Sequence, residues 1–443
     1  MKNIKFIALT ALLTIGGLMG CNSKKETWDG TVTFWHTMGQ ANQALLDRMI
    51  AEFEEANPGI KVAAYSQGGY DDIAGKLRDA IPAGTTPSLS FCYPDNVASY
   101  LEAGAIEDLT SYVTNSEYGF TEEEGGVSDF IESYWNEGKN YPIKKGAVYS
   151  LPYAKSTEAL FYNKTVFEEY GYEVPTTWAE MWTLCAKMKS DLGNKIAVPL
   201  GYDSDSNLFI TKCEQENIDY TKAEGDDHFL FVNAKAKSMV SELKGYYDQG
   251  LFVTKGTQPN ATYTSTMFTN AKILMSIGST GGTTYNKSLN FEVGVAPIPR
   301  GTVNGHVVSQ GPSICIFKRA HADEKIAAWK FYKHITNTLN SANFAISTGY
   351  EPVRTSSLES DMYKDHLSTA YNKDGTTRNL LAAAAVCTRD NYAANNLYFV
   401  SPVFNGSDTA RDEVGGIIAN VLLGTKSVDQ AFTDALTNCL FVG

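Results

Sequence analysis

Strand-like and helix-like patterns alternate in the first quarter of the chain. Strands are predicted at residues 31–36, 60–64 and 88–93, where β-prone or alternating apolar residues occur. Apolar residues recur at helical spacing over residues 45–53 and 73–81, between these strands. Repeated strand–helix units predict a parallel α/β sheet, and in such sheets ligands bind at the carboxyl ends of the strands.

Aromatic side chains lie at or just beyond those predicted strand ends. They are Trp35, Tyr70 and Tyr93, with His36 beside the first. A tyrosine offers an apolar ring face and one hydrogen-bonding tip, which suits contact with a polyol. The structural alternative is that Trp35 and many of the 25 tyrosines fill cores. We interpret His36 as a structural histidine rather than a catalytic base.

The remainder of the chain indicates a second α/β unit. It begins with residues 151–164 (LPYAKSTEALFYNK), which we interpret as a buried strand next to a small polar pocket. Thr177 and Glu180 form a capping-box pattern that predicts the start of a helix. Later strands are predicted at residues 196–200, 271–277, 291–299 and 309–317, with mainly helical structure over 205–270, around 328–335 and towards the end of the chain. A chain of 443 residues is too long for one ordinary core, so we expect two domains.

The N-terminus has the pattern of a bacterial lipoprotein signal. Lys2 and Lys5 precede a short apolar run at residues 6–17, and a lipobox, LMGC, ends at Cys21. We therefore predict a signal peptide at 1–20 and a lipidated tether at 21–29, anchored through Cys21 to a bacterial cell membrane. No later stretch is long and apolar enough for a membrane span.

Composition and motifs exclude several classes of function. A formal net charge of -13 argues against nucleic-acid binding and against adhesion to anionic lipid. The six cysteines after Cys21 are far apart without a CxxC pair, so no metal site is predicted, and their apolar surroundings indicate mostly free, buried thiols. GxSxG and HExxH are absent from the sequence, and its acidic residues form no recognisable catalytic pair.

A glycine-rich turn follows the strand predicted at 271–277. It contains Ser279 within residues 278–282 (GSTGG), and its backbone N–H groups could cradle an anion. It lacks the nucleotide-binding patterns GxxxxGK[ST] and GxGxxG. A tight turn before a surface helix explains it equally well.

Several segments occur in the order and spacing of one known family. They are residues 34–38 (FWHTM), 53–62 (FEEANPGIKV), 162–164 (YNK), 175–178 (PTTW) and 348–352 (TGYEP). With the lipobox before them, the chain resembles the extracellular solute-binding proteins of ABC importers, in the carbohydrate and glycerol-3-phosphate branch. The resemblance covers essentially the whole mature chain.

The resemblance implies an α/β fold of two lobes with a hinge and a ligand cleft between them. The first lobe is expected at residues 30–152 plus 311–350, and the second at 153–310 plus 351–443. It implies a monomeric binding protein that needs no cofactor, is not an enzyme, and delivers a small solute to the transmembrane subunits of an ABC permease.

The resemblance also implies ligand contacts. Family positions carry over to Tyr70, Ser156, Ser279, Gly311 and Tyr350, and to Arg411, which would pair with a phosphate. Asp95 is a substitute for a family glutamate that binds glycerol hydroxyls, and residues 201–205 (GYDSD) replace a tryptophan-rich loop.

The predicted ligand is glycerol-3-phosphate or a glycerophosphodiester. A neutral mono- or oligosaccharide is the alternative, and it would have little use for Arg411, which could instead form a surface ion pair with Asp408, Asp412 or Glu413. A secreted carbohydrate hydrolase and a lipid-anchored adhesin are the remote alternatives.

Overall fold

The computed structural model of this chain describes residues 28–318 and 321–442. The predicted signal peptide, Cys21 and most of the tether lie outside the described residues. Within them the strands are β1 (Thr31–His36), β2 (Lys61–Ser66), β3 (Leu89–Cys92), β4 (Leu151–Pro152), β5 (Glu158–Asn163), β6 (Leu200–Tyr202), β7 (Phe252–Thr254), β8 (Met275–Ser279), β9 (Val293–Pro297), β10 (Val307–Val308), β11 (Ser313–Ile316) and β12 (Tyr398–Phe399).

The α-helices surround these strands. They are α1 (Gln40–Ala56), α2 (Tyr70–Ala83), α3 (Pro94–Glu102), α4 (Thr110–Val113), α5 (Glu132–Glu137), α6 (Lys164–Tyr170), α7 (Trp178–Leu192), α8 (Asp205–Gln215), α9 (Ala234–Asp248), α10 (Ser265–Thr269), α11 (Ala322–Ile335), α12 (Thr338–Thr348), α13 (Thr355–Glu359), α14 (Asp361–Ser368), α15 (Leu380–Asn391), α16 (Ser407–Leu423) and α17 (Val428–Val442).

The first five-stranded sheet has the order β2–β1–β3–β11–β4. Strand β1 pairs in parallel with β2 and β3, as the repeated strand–helix pattern predicts. Along β1 the buried side chains alternate as Val32, Phe34 and His36, which places one face of the strand in the core. Strand β11, more than 200 residues after β3, joins this sheet antiparallel to β3 and β4. The chain therefore returns to its first lobe after building the second.

The second five-stranded sheet has the order β7–β6–β8–β5–β9. Strand β6 is parallel to β7 and β8, whereas β5 is antiparallel to both β8 and β9. Strand β5 is buried along almost its whole length because neighbours pair on both sides and helices cover it. Each sheet has its own large hydrophobic core, one around Phe34, Phe91 and Trp329 and the other around Met181, Ile277 and Val414. The predicted two-lobed α/β architecture is confirmed.

Several predicted elements differ from the structure. The strand predicted at 196–200 is observed further along the chain, as β6. It begins only after Pro199, because proline has no N–H and contributes only its carbonyl oxygen, which accepts hydrogen bonds from Leu274 and Met275. Strand β7 lies inside the stretch predicted to be mainly helical. The strand predicted at 309–317 is shortened to β11, since Gly311 (φ +136°) and Pro312 interrupt it. The capping box of Thr177 and Glu180 is confirmed at the start of α7.

Three chain segments run side by side where the lobes meet. Lys155 bridges to Glu351 and Ser156 bridges to Gln310 through backbone hydrogen bonds. These segments, at residues 155–156, 310 and 351, are the three crossings of the chain between the lobes. The first two crossings lie near the predicted boundaries at 152/153 and 310/311. For the third, Val353 is buried in the first core, so we propose that the first lobe extends beyond residue 350.

Arg354 fixes that extension of the first lobe. Its side chain is 2% exposed and pairs with Asp129 at 3.1 Å, and its guanidinium lies 4.1 Å from the ring centroid of Phe130. Asp129 also accepts hydrogen bonds from the backbone N–H of Ser356 (2.8 Å) and its hydroxyl (2.7 Å). A buried, well-bonded ion pair therefore fastens the chain just after its third crossing.

We predict that Arg354→Met lowers the free energy of unfolding by about 3–5 kcal/mol, because it leaves the Asp129 carboxylate buried without its cation. Urea denaturation followed by circular dichroism measures this change. The matched control is Arg48→Met, because Arg48 pairs with Glu52 at 3.7 Å on the surface with both side chains about half exposed. That variant should lose less than about 1 kcal/mol. Equal losses in the two variants would contradict the structural role of Arg354.

Candidate ligand-binding site

A narrow polar cavity lies between the two lobes, beside the crossings. Tyr93 and Asp95 approach it from the first lobe, where Tyr93 follows β3 and Asp95 occupies the first turn of α3. Arg411 approaches from α16 of the second lobe, and Gln310 lies on a crossing. Both lobes therefore contribute to one site near the carboxyl end of β3, as sheets of this kind predict.

Arg411 is held in the cavity by neutral groups. Its Nη2 atom donates two hydrogen bonds, one to the Oε1 atom of Gln310 at 3.1 Å and one to the Oδ1 atom of Asn207. The ion pairs formed by the described residues do not include Arg411. The surface ion pair that was the structural alternative for this residue is absent from the described structure. Amide oxygens orient the guanidinium without neutralising its charge.

A buried hydrogen-bond network around Glu158 holds Asn207, one of the two partners of Arg411. The carboxylate of Glu158 is fully buried and accepts hydrogen bonds from Tyr202 at 2.7 Å and from Asn207 at 3.1 Å. Burial raises the pKa of Glu158 to about 7, against the lowering effect of these hydrogen bonds. Asn207 is thereby fixed with its oxygen towards Arg411. The sequence analysis did not find Glu158 or Asn207.

Asp95 faces the same cavity. Burial raises its pKa to about 6, while the charge of Arg411 acts in the opposite direction. Asp408 and Asp412 raise the pKa of Asp95 further. Asp95 is therefore poised to change its charge between pH 5 and 7, beside the unpaired cation of Arg411.

Tyr70 and Tyr350 meet where the two lobes approach each other. Their hydroxyl oxygens are 3.2 Å apart, and the ring of Tyr70 packs against that of Tyr93 with centroids 4.4 Å apart. A side chain at Gly281 would collide with the ring of Tyr350, because its Cβ would lie 2.6 Å from a ring carbon. Tyr350 therefore contacts Tyr70 of the first lobe and Gly281 of the second. Burial raises the pKa of both tyrosines, so their hydroxyls stay protonated.

Ser156 and Gly311 belong to the crossings rather than to the cavity wall. The backbone N–H of Ser156 donates to the carbonyl of Gln310 at 2.6 Å, and its hydroxyl donates to the same oxygen at 3.4 Å. A Cβ on Gly311 would lie 2.4 Å from the carbonyl oxygen of Ala154. Their sequence neighbours, Lys155 and Gln310, are the residues that line the cavity.

Trp35 and Ser279 lie outside the cavity lining. Trp35 packs against the first hydrophobic core, which agrees with the structural alternative given for this residue in the sequence analysis. The hydroxyl of Ser279 accepts a hydrogen bond from the N–H of Gly281 at 3.2 Å, at the start of a 3-10 helix over Thr280–Asn286. His36 is buried, and burial lowers its pKa to about 4, so it is neutral at pH 7.

The loop at residues 201–205 has a structural role. Asp203 accepts a hydrogen bond from the hydroxyl of Thr264 at 2.7 Å, and Asp205 accepts one from the N–H of Gly256 at 2.7 Å. These carboxylates fasten the loop that follows β7 to the end of β6.

A buried ion pair joins the first lobe to a crossing. Lys155 donates to the Oε2 atom of Glu137, and their side chains are 1% and 6% exposed. Lys155 lies in the stretch that the sequence predicted to feed a polar pocket. Glu137 carried no signal in the sequence, because it lies at the end of a short helix far from any predicted strand.

The described residues contain no group of three or more His, Cys, Asp or Glu side chains that could hold a metal ion. All six cysteines in this part of the chain are buried and free. Among the described helices none has the length and apolar character to cross a membrane.

Two α/β lobes that share a polar cleft beside their crossings define a two-lobed solute-binding protein. The model of the bacterial extracellular solute-binding protein family matches residues 48–369, and the chain belongs to that family. Its predicted character as a binding protein rather than an enzyme and its extracytoplasmic location agree with this membership.

Three known proteins illustrate the relationship. The sn-glycerol-3-phosphate-binding periplasmic protein UgpB of Salmonella typhimurium is 23% identical over 372 residues, which cover 79% of this chain and 80% of that protein. The maltotriose-binding protein of Pyrococcus abyssi is 26% identical over 342 residues, covering 74% and 67% respectively. The crystal structure of UgpB from Mycobacterium tuberculosis in complex with glycerophosphocholine has a TM-score of 0.76 at 19% identity and covers 93% of this chain and 98% of that chain.

We predict that Gly311→Ala destabilises the protein by roughly 2 kcal/mol or more, because the new methyl group meets the backbone of Ala154 in addition to straining the positive φ. Denaturant midpoints measure the loss. Gly84→Ala is the matched control, since Gly84 also has a positive φ (+65°) but no atom lies within 4 Å of an added Cβ. It should lose about 1 kcal/mol. A Gly311→Ala variant no less stable than this control would disprove the close approach of the crossings.

Proposed function

We propose that this protein is the solute-binding lipoprotein of an ABC importer for glycerol-3-phosphate or a glycerophosphodiester. The observation that carries the proposal is Arg411, a cation inside the interlobe cavity whose described partners are amide oxygens. A charge taken out of water without a counter-ion costs free energy, and a bound anion removes that cost. A guanidinium also presents a planar fork that matches two phosphate oxygens.

The comparisons support the same ligand class. One related protein, UgpB of Salmonella typhimurium, is an sn-glycerol-3-phosphate-binding protein, and another, UgpB of Mycobacterium tuberculosis, has been crystallised in complex with glycerophosphocholine. Of the predicted ligand positions, Tyr70 packs against Tyr93, which faces the cavity, and Tyr350 is hydrogen-bonded to Tyr70. Their ring faces suit the C–H surface of a small polyol, while their hydroxyls supply hydrogen bonds.

A neutral saccharide is the second candidate. The maltotriose-binding relative and the tyrosine cluster favour it. Arg411 is hydrogen-bonded to amide oxygens, and a neutral ligand would offer its guanidinium no ion pair, so we prefer the phosphate-bearing ligand.

Capture works by closure of the lobes around the ligand. The hydroxyl of Ser99 on α3 donates to Asp408 on α16 at 3.2 Å, and the ring of Tyr350 in the first lobe packs on Gly281 of the second, where an added Cβ would lie 2.6 Å from a ring carbon. The ligand shifts the population towards this closed form only to the extent that the closed form binds the ligand more tightly than the open form does. The closed protein, monomeric and anchored through Cys21, would then dock on the permease and release its solute.

We predict that the full chain, purified in mild detergent, binds glycerol-3-phosphate or glycerophosphocholine in isothermal titration, and that Arg411→Ala weakens this binding about 100-fold or more. Arg411→Lys keeps the charge but loses the fork, so its affinity should fall between the two. Arg389→Ala is the control, because Arg389 forms an exposed pair with Asp390 on α15. Binding of neutral sugars alone, unchanged in Arg411→Ala, would refute the phosphate assignment and retain the importer role.

The charge of Asp95 predicts a pH dependence. Its raised pKa of about 6 means that it is mainly ionised at pH 7 and mainly neutral at pH 5. Loss of a negative charge beside Arg411 favours an anion, so affinity for glycerophosphocholine should rise roughly threefold to tenfold as the pH falls from 7.5 to 5. A phosphodiester is the appropriate probe because its own charge is constant in this range.

The Asp95→Asn variant isolates this effect, since Asp412 and Glu158 also titrate with raised pKa values. The difference in pH slope between wild type and variant is the contribution of Asp95. Parallel profiles for the two proteins would show that Asp95 does not sense the ligand.

A further inference from the structure

Three oxygen atoms around the cavity have no hydrogen-bond partner among the described residues. They are the Oε1 atom of Glu137 and the hydroxyls of Ser309 and Ser401. The side chain of Glu137 is 6% exposed and Ser309 is 5% exposed. Buried polar groups are rarely left unpaired, because each costs free energy. Three such atoms around one cavity point to a missing partner.

Local structure places the three residues that carry these atoms at the cavity. Strands β10 and β12 pair in parallel, and the N–H of Ser309 donates to the carbonyl of Phe399 at 2.8 Å. This register places Ser309 and Ser401 just beyond the ends of two paired strands. On the opposite side, Gly138 ends α5 so close to the chain that a Cβ would lie 2.0 Å from the carbonyl of Ser150. That approach fixes Glu137 at the cavity.

The chemistry of the three atoms specifies a hydroxylated partner. Lys155 bonds the Oε2 atom of Glu137, so Oε1 remains as an acceptor that needs a donor. A serine hydroxyl both donates and accepts, so the pair of serines can complete the hydrogen bonds of neighbouring hydroxyl groups. A phosphodiester or a fully ionised phosphate is unsuitable here, because it has no proton to donate to a carboxylate and would be repelled by its charge.

We infer that Glu137, Ser309 and Ser401 form a subsite for adjacent hydroxyl groups of a polyol, beside the anion position at Arg411. The inference rests on the proposed function, because it describes the other end of the same ligand. Carboxylate and guanidinium then orient the ligand in the cleft, with hydroxyls towards Glu137 and phosphate towards Arg411. Ordered water is the other occupant that could satisfy these atoms.

Isothermal titration of the full chain in mild detergent tests the subsite with two probes that differ only in hydroxyl groups. The probes are glycerol-3-phosphate and propyl phosphate. Wild type should prefer the hydroxylated probe by about tenfold or more, since at least one hydrogen bond to a buried group is lost with propyl phosphate. The double variant Ser309→Ala, Ser401→Ala should reduce this preference severalfold, with Glu137 supplying what remains, while its affinity for propyl phosphate stays within about twofold of wild type.

Glu137→Gln provides a second measurement and should also reduce the preference. The serine double variant keeps the test decisive if the change at Glu137 disturbs the pair with Lys155. Ser241→Ala is the control, because Ser241 lies exposed on α9 and donates only to its own helix at 2.8 Å. It should retain the wild-type preference.

The outcomes separate the two proposals. If the serine double variant keeps the wild-type preference for glycerol-3-phosphate, or wild type shows none, water occupies these atoms and the subsite is refuted. If neutral sugars replace phosphate ligands and Arg411→Ala has no effect, the proposed function fails, while loss of sugar binding in the serine variant would still support the subsite. If no hydroxylated probe in the panel binds, both proposals are refuted.

Discussion

The backbone pairing of the three crossings is the constraint on which the rest of this structure depends. Lys155 bonds to Glu351, and Ser156 to Gln310, so the segments that join the lobes are also joined to one another. Gly311 permits this close approach because any side chain would collide with Ala154. Two of these residues, Lys155 and Gln310, also line the cavity, so the hinge and the proposed binding site share residues. A ligand that contacts Gln310 or Lys155 thereby contacts the hinge itself.

Buried charge is arranged around this hinge in a consistent way. Lys155 is paired with Glu137, whereas Arg411 is oriented by the amides of Gln310 and Asn207. Glu351 on the third crossing accepts a hydrogen bond from Tyr134 of the first lobe at 2.7 Å and another from Tyr398 on β12. Structural charges thus have partners within the protein. Arg411 forms no direct ion pair among the described residues and lies where a ligand can supply one, and this contrast is our reason for proposing Arg411 as a binding residue.

Much of the fold follows from local patterns that the sequence displays. Strand β1 and helix α7 were predictable because alternation at Val32 and Phe34 and the capping box at Thr177 are local signals. Antiparallel insertion of β11 into the first sheet was not, since its partner β3 lies more than 200 residues away. The extension of the first lobe that we propose beyond residue 350 has no local signal, because burial of Arg354 between aromatic rings depends on Phe120 and Phe130, which are distant in sequence.

The site was predictable to a smaller extent. Asp95 and Arg411 line the cavity, Tyr70 adjoins it through Tyr93 and Tyr350 is bonded to Tyr70, whereas Trp35 packs against a core. Glu137 and Asn207 acquire their roles only through tertiary contacts, with Lys155 and with Arg411, so no motif marks them. The lipidation at Cys21 remains a prediction because it lies outside the described residues.

A crystal structure of the protein grown with glycerophosphocholine tests the central claim most directly. The account predicts a closed cleft with the phosphate oxygens within hydrogen-bonding distance of the Arg411 guanidinium and the glycerol hydroxyls directed towards Glu137 and Ser309. A bound ligand whose phosphate lies away from Arg411, or a closed cleft filled by a neutral sugar with Arg411 still bonded only to Gln310 and Asn207, would contradict it.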